Sequence, residues 1–280
     1  MSHKQVFVAL TVVVFFAQVL QAGDDNLSTQ LMHSTFKITN GRTNGTGFVL
    51  HESKEGREPR WILLTAAHVL EQIKDDEATL VVRKPTADQA YEKLNHTFRI
   101  RREGKPLWAQ HASQDVAAIP VSLPAEVTLP KLSVELLATD ESMKHYEVQP
   151  GDILRCIGFP HAGQFAPNGA GFPLVRMGCL ASYPILPTQQ TKTFLFDFNT
   201  FEGDSGSAVH LDNPSGVSSS ENAGGRVRLI LGLVHGQHFL DERFNTIYQS
   251  GMTRHRLGLS IVVHATAIRE TLDRLDAKSE

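Results

Sequence analysis

The chain has 280 residues, enough for one large domain or two small ones with a core that needs no disulfides. With 27 Lys and Arg against 30 Asp and Glu, the formal charge is −3, which gives no basic footprint for nucleic acid. Two cysteines exclude a disulfide-dense scaffold and a four-cysteine zinc site.

Residues 1–22 have the pattern of a secretory signal peptide. Lys4 supplies the positive start, an apolar run covers residues 6–20, and the small residue Ala22 ends the segment. The run is shorter than the roughly 20 residues that a membrane-spanning helix needs, so a cleaved signal is favoured over an anchor. The sequence therefore predicts a secreted or periplasmic protein that has no membrane contact after cleavage.

Short apolar runs between turn residues predict two groups of β-strands. The first group comprises residues 35–38, 47–50, 61–65, 78–83, 98–101 and 116–121. The second group comprises residues 153–158, 174–182, 194–198, 208–211, 227–234 and 259–263. The stretch 124–150 between the groups has few strand signals and is interpreted as a connector, and residues 213–225 as a solvated hairpin loop.

Helical signals are confined to two places. Residues 66–73 predict a short helical turn, and residues 266–275 place Ile268, Leu272 and Leu275 on one face. The second pattern is typical of a terminal helix that packs one apolar stripe against the protein. The whole predicts an all-β protein of two antiparallel units with a C-terminal helix.

Three short segments contain the residue types of nucleophilic catalysis. His68 follows an apolar strand and two alanines, Asp115 precedes another apolar strand, and Ser205 lies between glycines. A serine hydroxyl is a poor nucleophile unless an adjacent base accepts its proton, and histidine, with a pKa of about 6.5, is such a base. Glycines permit the backbone conformations that aim N–H groups at one point.

These segments resemble the motifs of the chymotrypsin-like serine proteases. The matching residues are Thr65-Ala66-Ala67-His68, Asp115-Val116-Ala117 and Gly203-Asp204-Ser205-Gly206. Their order along the chain, histidine, aspartate and then serine, is also that of the family. The resemblance implies a chymotrypsin-like double β-barrel. It divides the chain into a signal peptide (1–22), an N-terminal barrel (23–123), a connector (124–150), a C-terminal barrel (151–264) and a helix (265–280).

The resemblance also implies a role for each matching residue. Ser205 would be the nucleophile, His68 the general base, and Asp115 the carboxylate that orients the imidazole. The backbone N–H groups of Gly203 and Ser205 would form the oxyanion hole. The predicted activity is a serine endopeptidase that hydrolyses peptide bonds through an acyl-enzyme, with no cofactor and no metal.

A polypeptide substrate is the only partner that the resemblance implies, and the oligomeric state stays open. Substrate-binding residues would be Asn199, near the floor of the specificity pocket, and a strand that pairs with the peptide backbone. The strand residues are Leu233, Val234, His235 and Gly236. Because residue 199 is not aspartate, a trypsin-like preference for Arg or Lys is not expected. His235 faintly resembles the histidine of glutamyl endopeptidases, one residue out of register.

Two further features refine the resemblance. Gly158-Phe159-Pro160 after an apolar strand resembles the bacterial Deg-type branch, here without the PDZ domain that often follows. The sequence near residue 23 contains no Arg-Ile-Val-Gly-Gly activation site. We therefore do not expect a newly formed amino terminus to pair with Asp204.

Alternatives remain open at this stage. A protease-like module without activity, acting as a binding protein, has the same motifs. An esterase or lipase is disfavoured, because Ser207 stands where the Gly-x-Ser-x-Gly elbow needs glycine and the residue order differs. His235 and His238 look like a metal pair but lack a third ligand. Cys156 and Cys179, on neighbouring predicted strands, form either a disulfide or two free thiols.

Overall fold

The computed structural model describes residues 26–87, 90–164, 169–213 and 227–279. The predicted signal peptide and most of the predicted loop at 213–225 lie outside the described residues. No helix within the described ranges is long and apolar enough to cross a bilayer.

The first half of the chain forms a seven-stranded antiparallel sheet and a small hairpin. The sheet order is β5-β4-β1-β2-β3-β9-β8. Its strands are β1 (Thr35–Thr39), β2 (Asn44–Glu52), β3 (Arg60–Thr65), β4 (Glu77–Pro85), β5 (Tyr91–Arg99), β8 (Ala109–Gln110) and β9 (Ala117–Val121). The hairpin pairs β6 (Arg101–Arg102) with β7 (Lys105–Pro106).

The second half forms a closed six-stranded barrel in the order β10-β11-β12-β15-β14-β13. Its strands are β10 (Ile153–Gly158), β11 (Leu174–Leu180), β12 (Thr193–Asp197), β13 (Ala208–Asn213), β14 (Val227–Asn245) and β15 (Ser250–His264). The six main strands of the first half follow the same order, but β5 and β9 are not paired, so that sheet stays open. The predicted all-β class with a short C-terminal helix is confirmed, with one closed barrel and one open sheet among the described residues.

The described residues form four α-helices beside the sheets: α1 (Leu27–Ser34), α2 (Ala67–Gln72), α3 (Asp140–His145) and α4 (Ala265–Ser279). In α4, Ile268, Leu272 and Leu275 are buried, as their spacing predicts. Helix α3 lies in the predicted connector, where Thr139 and Ser142 form a reciprocal capping box. A short 3-10 turn covers Val134–Leu136, and Pro160–Gly163 form a turn in which His161 and Ala162 have non-helical, positive φ.

Elements outside the two sheets connect the halves. Helix α1 packs against β2 of the first half and against β10 and β13 of the second. Its Ser28 hydroxyl is 2.8 Å from Nε2 of the buried His210 on β13. The connector touches both halves, since Ser133 bridges to His51 on β2 and Leu137 to Ile230 on β14. Helix α1 and the connector therefore both contact the two halves.

A buried arginine adds a further tie between the halves. Arg83 on β4 is only 4% exposed and donates to the carbonyls of Met32, His33 and Thr35 around the end of α1. It also donates to the carbonyl of Gly171 in the second half, at 2.8 Å. Burial lowers the pKa of Arg83 to about 9. Its charge is thus held by four carbonyl dipoles.

The two cysteines are free thiols. Strands β10 and β11 pair Cys156 with Arg176 and Cys179 with Ile153, so the cysteines are out of register. An offset of three residues is about 10 Å along a strand at roughly 3.3 Å per residue. That exceeds the Cα separation of about 7 Å that a disulfide can bridge.

The hairpin of β14 and β15 differs most from its prediction. The strands were predicted at 227–234 and 259–263, but pairing continues to Asn245 and Ser250. Residues 238–250 of this extension are exposed, so no one-sided burial marks them in the sequence. The hairpin therefore projects from the barrel as a two-stranded arm.

Candidate active site

His68 and Asp115 meet at one end of two neighbouring strands. Thr65, the last residue of β3, pairs with Ala117, the first residue of β9. His68 lies three residues after Thr65, in the first turn of α2, and Asp115 lies two residues before Ala117. The sheet register alone therefore brings the two side chains together.

Two hydrogen bonds fix the His68 imidazole against Asp115. The backbone N–H of His68 donates to Asp115 Oδ1 at 2.9 Å, and His68 Nδ1 lies 2.5 Å from Asp115 Oδ2. Because Nδ1 is engaged, the ring presents Nε2 as its remaining nitrogen. This is the arrangement that a general-base histidine requires.

A second histidine binds the same carboxylate. Nδ1 of His235, on β14, lies 2.6 Å from Asp115 Oδ2, and its ring is edge-on to that of His68 at a centroid distance of 6.3 Å. Sequence analysis placed His235 on a substrate-binding strand and missed this contact. His235 and Asp115 are 120 positions apart in the sequence, and no local pattern joins them.

The paired histidines determine the charge of Asp115. Burial alone would raise the pKa of Asp115, but hydrogen bonds from His235 and His68 outweigh it and hold the pKa well below its usual range. The bond to Asp115 in turn raises the pKa of His235, against the effect of burial. Asp115 is consequently a carboxylate at neutral pH, shared by two imidazoles.

The loop that carries Ser205 lies against β2 and against Ala66, which follows β3 and precedes His68 by two residues. Thr46 N donates to the Ser205 carbonyl at 2.9 Å, and Gly206 N donates to the carbonyl of Val234, next to His235, at 2.8 Å. Gly206 has φ +88°, and a Cβ there would lie 2.1 Å from Thr46 O and 3.1 Å from Ala66 N. Only glycine fits this approach.

The structure thus brings Ser205, His68 and Asp115 to one junction between the halves. Ser205 is half-buried. Within the described ranges, no hydrogen bond joins Ser205 Oγ to His68, although the sequence predicts that contact. Catalytic hydrogen bonds are often long before substrate binds and tighten in the Michaelis complex.

Two N–H groups beside Ser205 are available to an external acceptor. His161 N donates to the Glu202 carbonyl at 2.7 Å, and Ser207 N donates to the Asp204 carbonyl at 2.9 Å. In a trans peptide the N–H points opposite to the C=O, so these bonds orient the N–H groups of Gly203 and Ser205. Neither N–H donates to any described residue. An oxyanion hole needs two such donors.

Neighbouring backbone supports this geometry. Gly203 has φ +93°, and a Cβ there would lie 2.3 Å from the carbonyl oxygen of Phe159. His161 and Ala162, in the same supporting turn, both have positive φ, at 49° and 57°. The Thr46 hydroxyl donates to the Gly203 carbonyl at 2.7 Å. The loop is therefore held from both halves of the molecule.

Asp204, between the two donors, is buried and paired with an arginine. Asp204 has 0% exposure, its Oδ1 accepts from Arg176 on β11, and its Oδ2 accepts from Phe201 N at 2.7 Å. Burial raises the pKa of Asp204, and the ion pair with Arg176 opposes that rise. Arg176 also donates to the Asn199 carbonyl, at 3.1 Å, and lies over the Phe198 ring.

The predicted substrate-binding residues fall into two groups. Leu233 and Val234 are fully buried, and β14 pairs with both of its barrel neighbours there, so their backbone is not free to bind a peptide. His235 and Gly236 are half-buried beyond the end of that β13 pairing. Asn199 is exposed, with its carbonyl held by Arg176. Of the four predicted strand residues, His235 and Gly236 therefore remain as candidates for pairing with a peptide backbone.

The site also contains a set of potential metal ligands. One ligand atom each from His68, Asp115 and His235 lies within 4.8 Å of the others. Each imidazole, however, already makes a hydrogen bond to the carboxylate, which accounts for the cluster. His238 belongs to no such group among the described residues.

The Asp115–His68 pair and the Ser205 loop lie at the junction of the open sheet and the closed barrel. One similar solved structure is a serine-to-alanine mutant of Rv3671c from M. tuberculosis H37Rv, in an inactive form. It is 16% identical, with 92% of this chain and 93% of that chain covered and a TM-score of 0.47.

Two other solved structures are similar to the chain. An inactive form of the Rv3671c protease is 16% identical, with 89% and 92% covered and a TM-score of 0.44. Protease Anisep from Arthrobacter nicotinovorans is 15% identical, with 89% and 97% covered and a TM-score of 0.47. No family model and no curated protein matches the chain. The function must be inferred from this chain's own residues.

Proposed function

We propose that the protein is a secreted or periplasmic serine endopeptidase. The observation that carries the proposal is the Asp115–His68 pair beside a serine loop whose Gly203 and Ser205 N–H groups have no acceptor among the described residues. A carboxylate, an imidazole, a hydroxyl and two aimed donors are the parts that acyl transfer needs.

Each part has a defined step. The Ser205 oxygen attacks the scissile carbonyl while His68 Nε2 accepts the hydroxyl proton, and Asp115 stabilises the imidazolium that forms. The carbonyl oxygen becomes an oxyanion that accepts from the Gly203 and Ser205 N–H groups. The C–N bond then breaks, and His68 returns its proton to the leaving amine. Water cleaves the Ser205 ester by the same path, which regenerates the hydroxyl.

A fluorophosphonate and a protein substrate test the proposal together. The exported protein should attach the fluorophosphonate covalently at Ser205 and should degrade casein. Labelling should fail in Ser205→Ala and in His68→Ala, whereas Asp115→Asn should keep the fold and lose about 10⁴ in turnover. Ser250→Ala, an exposed serine on the projecting hairpin, is the matched control and should behave as wild type.

The losses of Ser205 and His68 should not add, because a base without its nucleophile does nothing. Additive losses, or labelling elsewhere, would contradict the triad. Intact-mass analysis of exported protein tests the localisation: the product should begin after Ala22, and a secreted product that retains Lys4 would refute the cleavable signal.

The second candidate function is a protease-like binding protein without activity. It is favoured by the absence, within the described ranges, of a hydrogen bond between Ser205 and His68. This reading requires that correctly folded wild-type protein neither reacts with the fluorophosphonate nor cleaves casein, yet binds polypeptide. Measuring both properties on one folded preparation separates the two functions.

A further inference from the structure

A cleft of about 420 Å³ opens beside the loop that carries Ser205, between the two halves. Phe159 and Ala162 form part of one wall, and they are the residues against which Gly203 packs. On the other side of Ser205, Gly206 is bonded to Val234, next to the strand residues His235 and Gly236. An extended peptide that crosses Ser205 therefore has β14 on one side and this cleft on the other.

The opposite wall presents two lysines on one sheet face. Lys37 on β1 pairs with Val81 on β4, and Val81 pairs with Asn95 on β5, so these three side chains share a face. Lys93 lies two residues before Asn95 and points the same way. An added Cβ on Gly171 would lie 3.2 Å from the Lys93 stem, so the stem already packs against the second half.

No described carboxylate neutralises these amines. The cleft lining contains Lys37 and Lys93 but no Asp or Glu, and neither lysine has an ion pair among the described residues. Burial lowers the pKa of Lys37, and the charge of Lys93 adds to that effect.

Residues around the cleft add a further positive charge and polar groups near Lys37 and Lys93. Arg83 lies two residues from Val81 on the same strand, and its hydrogen bonds go to carbonyls. Thr39, Asn44 and Asn95 add polar groups to the cleft. Lys84, one residue after Arg83, is by contrast paired with Glu92 at 2.9 Å. The lysines of the cleft differ in having no such partner.

We infer that this cleft binds an acidic side chain of the polypeptide substrate, on the leaving-group side of the scissile bond. The inference rests on the proposed endopeptidase function and specifies its substrate class. The acidic residue would lie within about three positions of the cleaved bond, or roughly 10 Å of extended chain. Each exposed ion pair contributes about threefold, and two such factors multiply, so we expect about a tenfold preference from two lysines.

The test begins with a casein peptide that the exported enzyme cleaves. Three internally quenched versions carry Glu, Gln or Lys at the three positions after the cleaved bond. The wild type should show kcat/KM in the order Glu, Gln, Lys, with about tenfold between Glu and Gln. The double variant Lys37→Glu/Lys93→Glu should reverse the order, and Lys84→Glu, the matched control, should retain it.

Binding to Ser205→Ala separates this inference from the proposed function. Fluorescence anisotropy of the labelled Glu and Gln peptides needs no turnover. A Glu preference that Lys37→Glu removes supports the cleft even where the wild type proves inactive. Turnover with equal rates for all three peptides, or an order that charge reversal leaves unchanged, overturns the cleft and leaves the protease standing. Lys37→Gln and Lys93→Gln, checked by thermal unfolding, cover the case in which charge reversal impairs folding.

Discussion

Under the proposed function, replacing Arg176 by methionine should lower peptidase activity while leaving the side chains of Ser205, His68 and Asp115 in place. Arg176 forms the ion pair with Asp204, and Asp204 lies between the two oxyanion donors with no exposure to solvent. Removing one partner of a buried ion pair costs about 3–5 kcal/mol, because the remaining charge is left uncompensated. The loop can relieve that cost by turning Asp204 towards water.

Such a rotation also turns the peptides on both sides of Asp204. The hydrogen bonds from His161 N to Glu202 O and from Ser207 N to Asp204 O would break. The N–H groups of Gly203 and Ser205 would then no longer point towards a common acceptor. Loss of one oxyanion donor raises the barrier by about 2.7–4 kcal/mol, which is a factor of about 10²–10³ in kcat. We expect a loss of that size in Arg176→Met, with KM little changed.

Kinetics on the cleaved casein peptide and the rate of fluorophosphonate labelling measure the effect. Arg155→Met is the matched control, since Arg155 is a half-buried arginine of the same barrel that donates to the Asp212 carbonyl. Adding Asp204→Asn to Arg176→Met should recover stability, because no buried charge then remains unpaired. If Arg176→Met keeps kcat within about threefold of wild type, the ion pair does not hold the loop.

Three other predictions follow from the site and its support. His235→Ala should shift the acidic limb of the kcat/KM profile to higher pH, because Asp115 then interacts with His68 alone; an unmoved limb would show that the second imidazole does not tune the pair. The pKa of His235 is raised on folding, so the His235–Asp115 bond stabilises the fold fully below about pH 6.5 and loses this effect as pH rises through the folded pKa. The free energies of unfolding of wild type and His235→Gln, measured in urea, should therefore converge at high pH. Ala162→Gly, at φ 57°, should raise the free energy of unfolding by about 0.5–1 kcal/mol; a loss would mean that the Ala162 methyl packs usefully.

Most strands inside each sheet were predictable because their burial is regular, whereas β5 (Tyr91–Arg99), which is mostly exposed, was predicted only at 98–101. In β3, Ile62, Leu63 and Leu64 are all buried, and the run ends in the motif that contains His68. The projecting hairpin was not predictable, because solvent reaches both faces and the usual alternation of polar and apolar residues is lost. Helix α1 was missed because it is only eight residues long and five of its residues are polar.

The candidate site divides in the same way. Its motif residues were predictable because their chemistry is local to short segments. The contacts that tune them were not, since His235 is 120 residues from Asp115 and Arg176 is 28 residues from Asp204. Such pairs are created by barrel closure and sheet register, which no single segment encodes.

Thr46, on β2, links the loop that carries Ser205 to the first half of the molecule. Its N–H, hydroxyl and carbonyl bind Ser205 O, Gly203 O and the Thr65 hydroxyl, respectively. If the protein is exported amino-terminal end first, as proposed, the Thr46 side of the site leaves the export channel before the loop that carries Ser205. Under the proposed function, proteolytic power would arise only when the last strands dock, so a half-translocated chain could not digest its own neighbours. Separately produced halves should likewise be inert alone and gain activity on mixing.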